Sequence, residues 1–190
     1  MRRTDPSAAA GSPSSWRRSR RSRVAERPGR LPLPAPGETA VAAPAEPASV
    51  AIPSIGVRSE LLHLGIAPDG SAEVPRDYAL AGWFRDGGRP GGPGPTVLLG
   101  LVDSRDGPAV FYRLRDLRPG DVVEVEIGDG TVARYAVDRT EQVAKDELPT
   151  FAVFGATADD VLRLVTCAGD FDRGARSYED NLVVHATRIA

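Results

Sequence analysis

The sequence predicts an all-β domain, a closed barrel or a sandwich, standing behind a disordered tail. Three observations carry that prediction. Short apolar or alternating runs recur at near-regular spacing from residue 49 onward, as small barrels and sandwiches require. Clusters of Gly, Pro and Asp separate these runs, and little helical periodicity lies between them. Residues 1–48, by contrast, hold eight of the 17 prolines and almost no large apolar side chains. Such a segment cannot bury enough surface to offset its ordering entropy. The expected organisation is therefore a tail over 1–48 and one domain over 49–190.

Charge divides along the same line. The tail carries nine arginines against Asp5, Glu26, Glu38 and Glu46, a net of +5, and the chain total of -2 leaves the domain at about -7. That balance argues against a nucleic-acid-binding domain. The tail is either simply solvated or suited to anionic surfaces such as phospholipid headgroups. "LPLPAPGETAVAAPAEPA" reads as a proline-stiffened spacer. No window approaches the ~18 apolar residues of a membrane span, and no apolar segment follows the basic start as in a secretory signal. Neither an anchor nor an export address is expected in the chain as written.

The elements follow in order. "SVAIPSIGVRSELL" and "GSAEVP" read as short strands, with Pro53 confining the first to an edge or an irregularity. "FRDGGRPGGPGP" is a loop that lacks the G-K-[ST] ending of a phosphate cradle. "TVLLGLV" is a near-continuous apolar strand, and "PAVFYRLRDLRPGD" a turn or short helix. "VVEVEIGDGTVARYAV" alternates on either side of a Gly-Asp-Gly turn, the pattern of a β-hairpin. "ELPTFAVFG" holds about one helical turn. "VLRLVTC" and "NLVVHATRI" are two further strands joined by the polar loop "AGDFDRGARSYED". Trp83 and Tyr112 are either core or groove residues, with core the expectation for both.

Cys167 is the only cysteine, which rules out an intramolecular disulfide. It closes an apolar strand and opens onto a charged loop, a rigid and accessible place for a nucleophile. Arg163, Arg173 and Arg176 lie nearby in sequence, and cations lower a thiol pKa and hold a developing oxyanion. "DFDRG" with Glu179 and Asp180 misses the spacing of a calcium loop, so no metal is expected.

These residues also carry a resemblance. "LRLVTC" resembles the T-C strand of the sortases, cysteine transpeptidases of the Gram-positive cell envelope. "GPTVLLGLVDSRDGPAVFYRLRDLRPGDVVEV" is similar to the stretch where sortases carry G-H-x-D-S, G-x-x-F and a Pro-Gly-Asp turn. "VTCAGDFDRGARSYEDNLVVHA" resembles the active-site strand, loop and final strand of actinobacterial, class F-type members. The resemblance implies an eight-stranded β-barrel over residues 49–190 with short helices or turns. It implies attack by Cys167 on an LPxTG-like sorting signal, a thioacyl-enzyme, and transfer to an amine such as a cell-wall precursor. It further implies no cofactor, a monomer, and a place on the extracellular face of the cell envelope. Arg173 takes the catalytic arginine's role; in other sortase classes that arginine opens the last strand, a position held by Asn181 here, and Arg176 is a third candidate. Thr166, Asp103, Arg176 and Asn181 fall on the substrate side.

The family's histidine falls on Leu101. Leucine can neither support a thiolate nor protonate a leaving amine, and a positioned general acid contributes on the order of a hundredfold to ten-thousandfold in rate. The chain holds two histidines, His63 and His185. His185 lies about 13 Å along the strand from Asn181 at ~3.3 Å per residue, and nothing in the sequence brings His63 to Cys167. Asp103 shares the face of Leu101 if the strand continues, where it orients a group, acts as a base or caps a turn. The expectation is a sortase fold whose transpeptidation is impaired, or a peptide-binding module that no longer turns peptides over. An unrelated small barrel with a structural cysteine is the third reading.

Overall fold

The computed structural model describes residues 44–148 and 150–190, so most of the expected tail lies outside the described residues. The strands are β1 (Pro47–Ile52), β2 (Val57–Leu64), β3 (Ala81–Phe84), β4 (Gly94–Leu99), β5 (Asp103–Ser104), β6 (Gly107–Pro108), β7 (Val122–Ile127), β8 (Val132–Ala144), β9 (Asp160–Asp172) and β10 (Ser177–Ile189). One short helix, α1, spans Thr150–Phe154, and 3-10 turns cover Pro53–Ile55, Leu114–Asp116 and Lys145–Glu147. Eight strands close into a barrel in the order β1-β2-β3-β4-β9-β10-β8-β7, while β5 and β6 form a separate two-stranded ribbon. The pairs β2–β3 and β4–β9 are parallel, and every other barrel pair is antiparallel.

Burial explains the sequence texture. Trp83, Leu98, Phe111, Leu114, Val123, Val125, Tyr135, Leu162 and Leu164 fill the barrel interior. A second cluster joins Val97, Leu99, Val165 and Val183 to Val153 of α1, with Leu64 and Phe84. Because β4 feeds both clusters through alternate residues, it is buried on both faces from Gly94 to Leu99. A strand covered on both sides needs no polar alternation, which is why "TVLLGLV" is apolar almost throughout. Trp83 is wholly buried, and its indole N–H donates to the Gly88 carbonyl at 3.1 Å.

The hairpin of β7 and β8 forms as its alternation predicts. It turns at Gly128–Thr131, where Gly130 adopts φ +86° and the Ile127 N–H donates to the Thr131 carbonyl. Positive φ at low cost is what glycine supplies there.

Three expectations change. "GSAEVP" is not a strand but a turn with one isolated bridge, Ile66 to Ala72. Asp69 accepts from both the backbone N–H and the hydroxyl of Ser71, and this local bonding competes with a ladder. Of the two readings of Pro53 the edge falls, since β1 lies between β2 and β7 inside the closed sheet, and the irregularity holds. Pro53 opens the 3-10 turn that ends β1, and Gly56 at φ +70° then turns the chain into β2. The polar segment after Cys167 is mostly ladder, because β9 and β10 pair out to Asp172 and Ser177. That outer part of the hairpin is largely exposed, so burial imposes no apolar pattern and its sequence reads as a loop.

Gly100 follows β4 directly, and a Cβ there would collide with the ring of the wholly buried Phe111. Gly100→Ala is expected to destabilise the barrel by about 1–3 kcal/mol, as overpacking a full core does. A lowered urea midpoint at unchanged m-value would show it; an unchanged midpoint would mean that Phe111 has room to move.

Candidate active site

The site is built where β9 emerges from the barrel. Along β9, Leu164, Val165 and Thr166 are buried, Cys167 and Ala168 are partly exposed, and the strand is exposed from Gly169 onward. Cys167 therefore lies mid-strand by pairing, not at the strand end, but at the point where the strand meets solvent. Its ladder partner on β10 is Asn181, and Thr166 pairs with Leu182. On the other side, the parallel register matches Leu98 to Leu164 and Leu99 to Val165. The Gly100 N–H continues it by donating to the Val165 carbonyl at 3.1 Å. β4 ends at Leu99, and two residues on the Leu101 carbonyl accepts the Phe111 N–H at 3.0 Å.

A cleft of about 180 Å³ opens beside the thiol, bordered by Cys167, Asp103, Tyr112, Arg115, Gln142 and Tyr178. Phe111, Thr166 and Leu182 contribute to its lining. The Thr166 hydroxyl oxygen is fully buried and has no hydrogen-bond partner among the described residues.

Asp103 faces Tyr178. The Tyr178 hydroxyl donates to Asp103 Oδ2, tying the segment after β4 to β10. That bond, then burial and the Asp103 charge, push the phenol up to about 12, with smaller contributions from Cys167 and Tyr112. Tyr178 is thus a neutral phenol near pH 7. Asp103 does not cap its turn. Ser104 does so instead, its hydroxyl accepting from the Asp106 N–H and donating to the Gly107 carbonyl, both at 3.1 Å. Across the cleft mouth, Gln142 Nε2 donates to Asp180 Oδ2 at 2.7 Å.

Tyr112 and Arg115 reach the cleft through the 3-10 turn. Phe111 and Leu114 are wholly buried, and their neighbours Tyr112 and Arg115 repeat the same i, i+3 spacing one residue later, facing out. Side chains three apart stack on one side of a 3-10 turn. The Arg115 guanidinium lies over the Tyr112 ring, 4.5 Å from its centroid. Tyr112 is therefore a cleft residue rather than a core one. Tyr178 opens "YEDN", which reads in the sequence as a loop that shapes the groove; for Arg115 the repeated i, i+3 spacing in "FYRLR" is the one signal, and Gln142 has none.

The other arginines stand apart from this cleft. Arg173 and Arg176 sit in the exposed turn of the β9–β10 hairpin, Arg176 at φ 52°. Arg173 is six residues beyond Cys167, about 20 Å of extended strand at ~3.3 Å per residue. Arg163 is held below its ordinary pKa by burial and by Arg139, and it donates to the Leu162 carbonyl at 3.0 Å.

Neither histidine borders the cleft. His63 lies on β2, 3.7 Å from Glu46 and edge-on to Trp83. His185 is 3% exposed on β10, with Nε2 3.3 Å from Glu141 and Nδ1 without a hydrogen-bond partner among the described residues. Burial, then Arg163 and Arg139, push its pKa down to about 4.

Among the described residues no three His, Cys, Asp or Glu side chains cluster as a metal site. The Asp172 carboxylate of "DFDRG" accepts the N–H groups of Gly174 and Ala175. Among the same residues no helix is long and apolar enough to cross a membrane.

A sortase-domain family model matches residues 50–189. Among solved structures, sortase C-1 from Actinomyces oris aligns with a TM-score of 0.58 at 25% identity, over 75% of this chain and 71% of that one. Sortase C1 from Streptococcus agalactiae aligns with a TM-score of 0.58 at 22% identity, over 75% and 67%. Sortase A from Corynebacterium diphtheriae gives 0.57 at 20% identity, over 77% and 62%. The last two likenesses show the fold alone. No curated protein matches the chain.

Two titrations check the site's electrostatics. Unfolded tyrosine ionises near 10, so the stabilisation from the raised Tyr178 pKa is present below pH 10 and lost as pH rises to about 12. Asp103→Asn should return Tyr178 toward 10, read as phenolate absorbance at 295 nm developing at lower pH. For His185 the pKa is lowered, so stability falls as pH drops from about 6.5 to about 4. Its imidazole proton resonance should show no titration step between pH 8 and 5; a step near 6.5 would mean the ring is solvated.

Proposed function

The chain belongs to the sortase family, and from that premise we propose that it is a class F-type cysteine transpeptidase, impaired at one position, for LPxTG-like sorting signals. Sortases as a family act on sorting-signal peptides and amine nucleophiles. The single observation that carries the finer reading is Cys167 bordering an open cleft at the point where a rigid strand meets solvent.

The chemistry follows from that placement. The Cys167 thiolate adds to the carbonyl carbon of a Thr–Gly bond, a carbon–sulfur bond forms, and the carbonyl π pair moves onto oxygen. Collapse of that oxyanion breaks the carbon–nitrogen bond, and the departing amine takes up a proton from solvent water. An incoming amine then attacks the thioester, releases the acyl group and returns the thiol. Thr166 and Asn181 border Cys167 in the ladder register, and Asp103 lines the cleft wall, all on the peptide's path. By the same resemblance the protein works as a monomer on the extracellular face of an actinobacterial cell envelope. Its acceptor is an amine such as that of a cell-wall precursor.

The leaving amine has no suitable proton donor among the cleft residues. Leu101 has no proton to give, and no histidine borders the cleft. Tyr178 is a weak acid whose proton is already engaged by Asp103. Loss of a positioned general acid costs on the order of 10²–10⁴ in rate. The same observation favours a second reading, in which the cleft retains sorting-signal peptides without turning them over. Arg173, which the resemblance assigns to the oxyanion, stands at the exposed hairpin tip; Arg176 lies in the same turn.

Turnover of a fluorogenic LPxTG-type peptide by the parent chain, Leu101→His, and Leu101→His with Cys167→Ala tests both readings. The impaired-enzyme reading expects Leu101→His to raise turnover at least about tenfold and the added Cys167→Ala to abolish it. Peptide binding without turnover in either thiol-bearing protein would instead support the binding module.

A further inference from the structure

We propose that Arg115, on the 3-10 turn between β6 and β7, is the cation of the Cys167 cleft and the group that holds the oxyanion formed there. The assignment rests on the proposal that Cys167 is the nucleophile.

Five observations lead to it. Arg115 borders the same cleft as Cys167, whereas Arg173 and Arg176 do not. Its guanidinium makes no ion pair among the described residues, while the neighbouring Arg113 is occupied by Asp116 at 2.9 Å and by the Ile55 carbonyl at 3.1 Å. Its backbone is held firmly, because Phe111 and Leu114 are wholly buried on the opposite side of the turn. Its side chain is held by the Tyr112 ring beneath it. A guanidinium lying on an aromatic face keeps its N–H donors at the rim of the plane, free for a ligand. Asp103, the carboxylate lining the same cleft, accepts the hydroxyl of Tyr178.

The chemistry suits the residue. When Cys167 Sγ adds to a carbonyl carbon, the displaced π pair becomes an oxyanion. A guanidinium presents five donors in a fixed fork and stays charged throughout. That makes it an oxyanion partner and a poor proton donor. Arg115 would therefore supply charge stabilisation at a site where Leu101 removes proton transfer, and the two functions become separable.

The test uses the chain's one thiol as a reporter of local charge. Cys167 is alkylated in the full-length protein with anionic iodoacetate and, separately, with neutral iodoacetamide, and the ratio of the two rate constants is measured. A change in thiolate fraction or in folding moves both rates, while a nearby cation favours the anionic reagent. Arg115→Gln should lower the iodoacetate-to-iodoacetamide ratio about threefold, the size of one unit charge acting across a few ångströms of solvated cleft. Arg115→Lys should keep most of the ratio, and Arg118→Gln, an exposed change outside the cleft, should leave it unaltered. An unchanged ratio in Arg115→Gln overturns the assignment. So does a larger drop in Arg173→Gln or Arg176→Gln than in Arg115→Gln. The thiol reports the charge whether or not any peptide is turned over, so failure of the transpeptidase reading would leave this result standing.

Discussion

The pairing of β9 with β4 on one side and β10 on the other is the constraint on which the rest of the molecule depends. From Val161 to Val165 the strand is paired along both edges. Alternate side chains of β9 enter the barrel core through Leu162 and Leu164, and the outer cluster through Val165. A strand tied on both edges and packed on both faces has little freedom to shift register, since a one-residue slip would exchange its two faces. Cys167 inherits that rigidity while reaching solvent. Leu101 stands two residues beyond the parallel partner β4, where its carbonyl accepts the Phe111 N–H.

Around this fixed strand the cleft is assembled from chain segments that are far apart in sequence. The ribbon β5–β6 brings Asp103 across to Tyr178 on β10, a contact spanning 75 residues. The 3-10 turn then delivers Tyr112 and Arg115, anchored by the buried Phe111 and Leu114. Gly100 is the joint that permits this approach, because Phe111 packs where any other residue's Cβ would stand. Tyr112 and Arg115 thus hang from apolar anchors, and each finds its place because its neighbour is in the core. The same logic keeps His185 out of the site. It lies on β10 four residues from Asn181, is buried against Glu141, and is held neutral.

A cleft of this kind separates two demands usually met together. Charge stabilisation needs only a fixed cation near the developing oxyanion, and a guanidinium provides it without gaining or losing a proton. Proton delivery needs a group that titrates near the working pH and stands within hydrogen-bond reach. The cleft contains an arginine and a tyrosine–aspartate pair but no imidazole. On the proposed reading it serves the first demand and not the second.

The sequence by itself determined the β-rich class, the β7–β8 hairpin, the doubly covered strand β4 and the segment that carries Cys167. Each of these follows from apolar periodicity and turn chemistry, which act over a few residues. The motif resemblance added closure into eight strands and an expectation for Leu101, which patterning alone would pass as a core leucine. Other features became legible only in three dimensions. The outer β9–β10 ladder is hidden in sequence because an exposed hairpin needs no apolar alternation. Tyr112 reads as core until the 3-10 turn shows which of two interleaved pairs is buried. Arg173 lies close to Cys167 in sequence and far along an extended strand in space, while Arg115 is 52 residues away and borders the same cleft. Sequence proximity measures contour length, and only tertiary packing turns contour length into distance. That is why the chain's own pattern located the thiol, and the folded barrel decided which charges surround it.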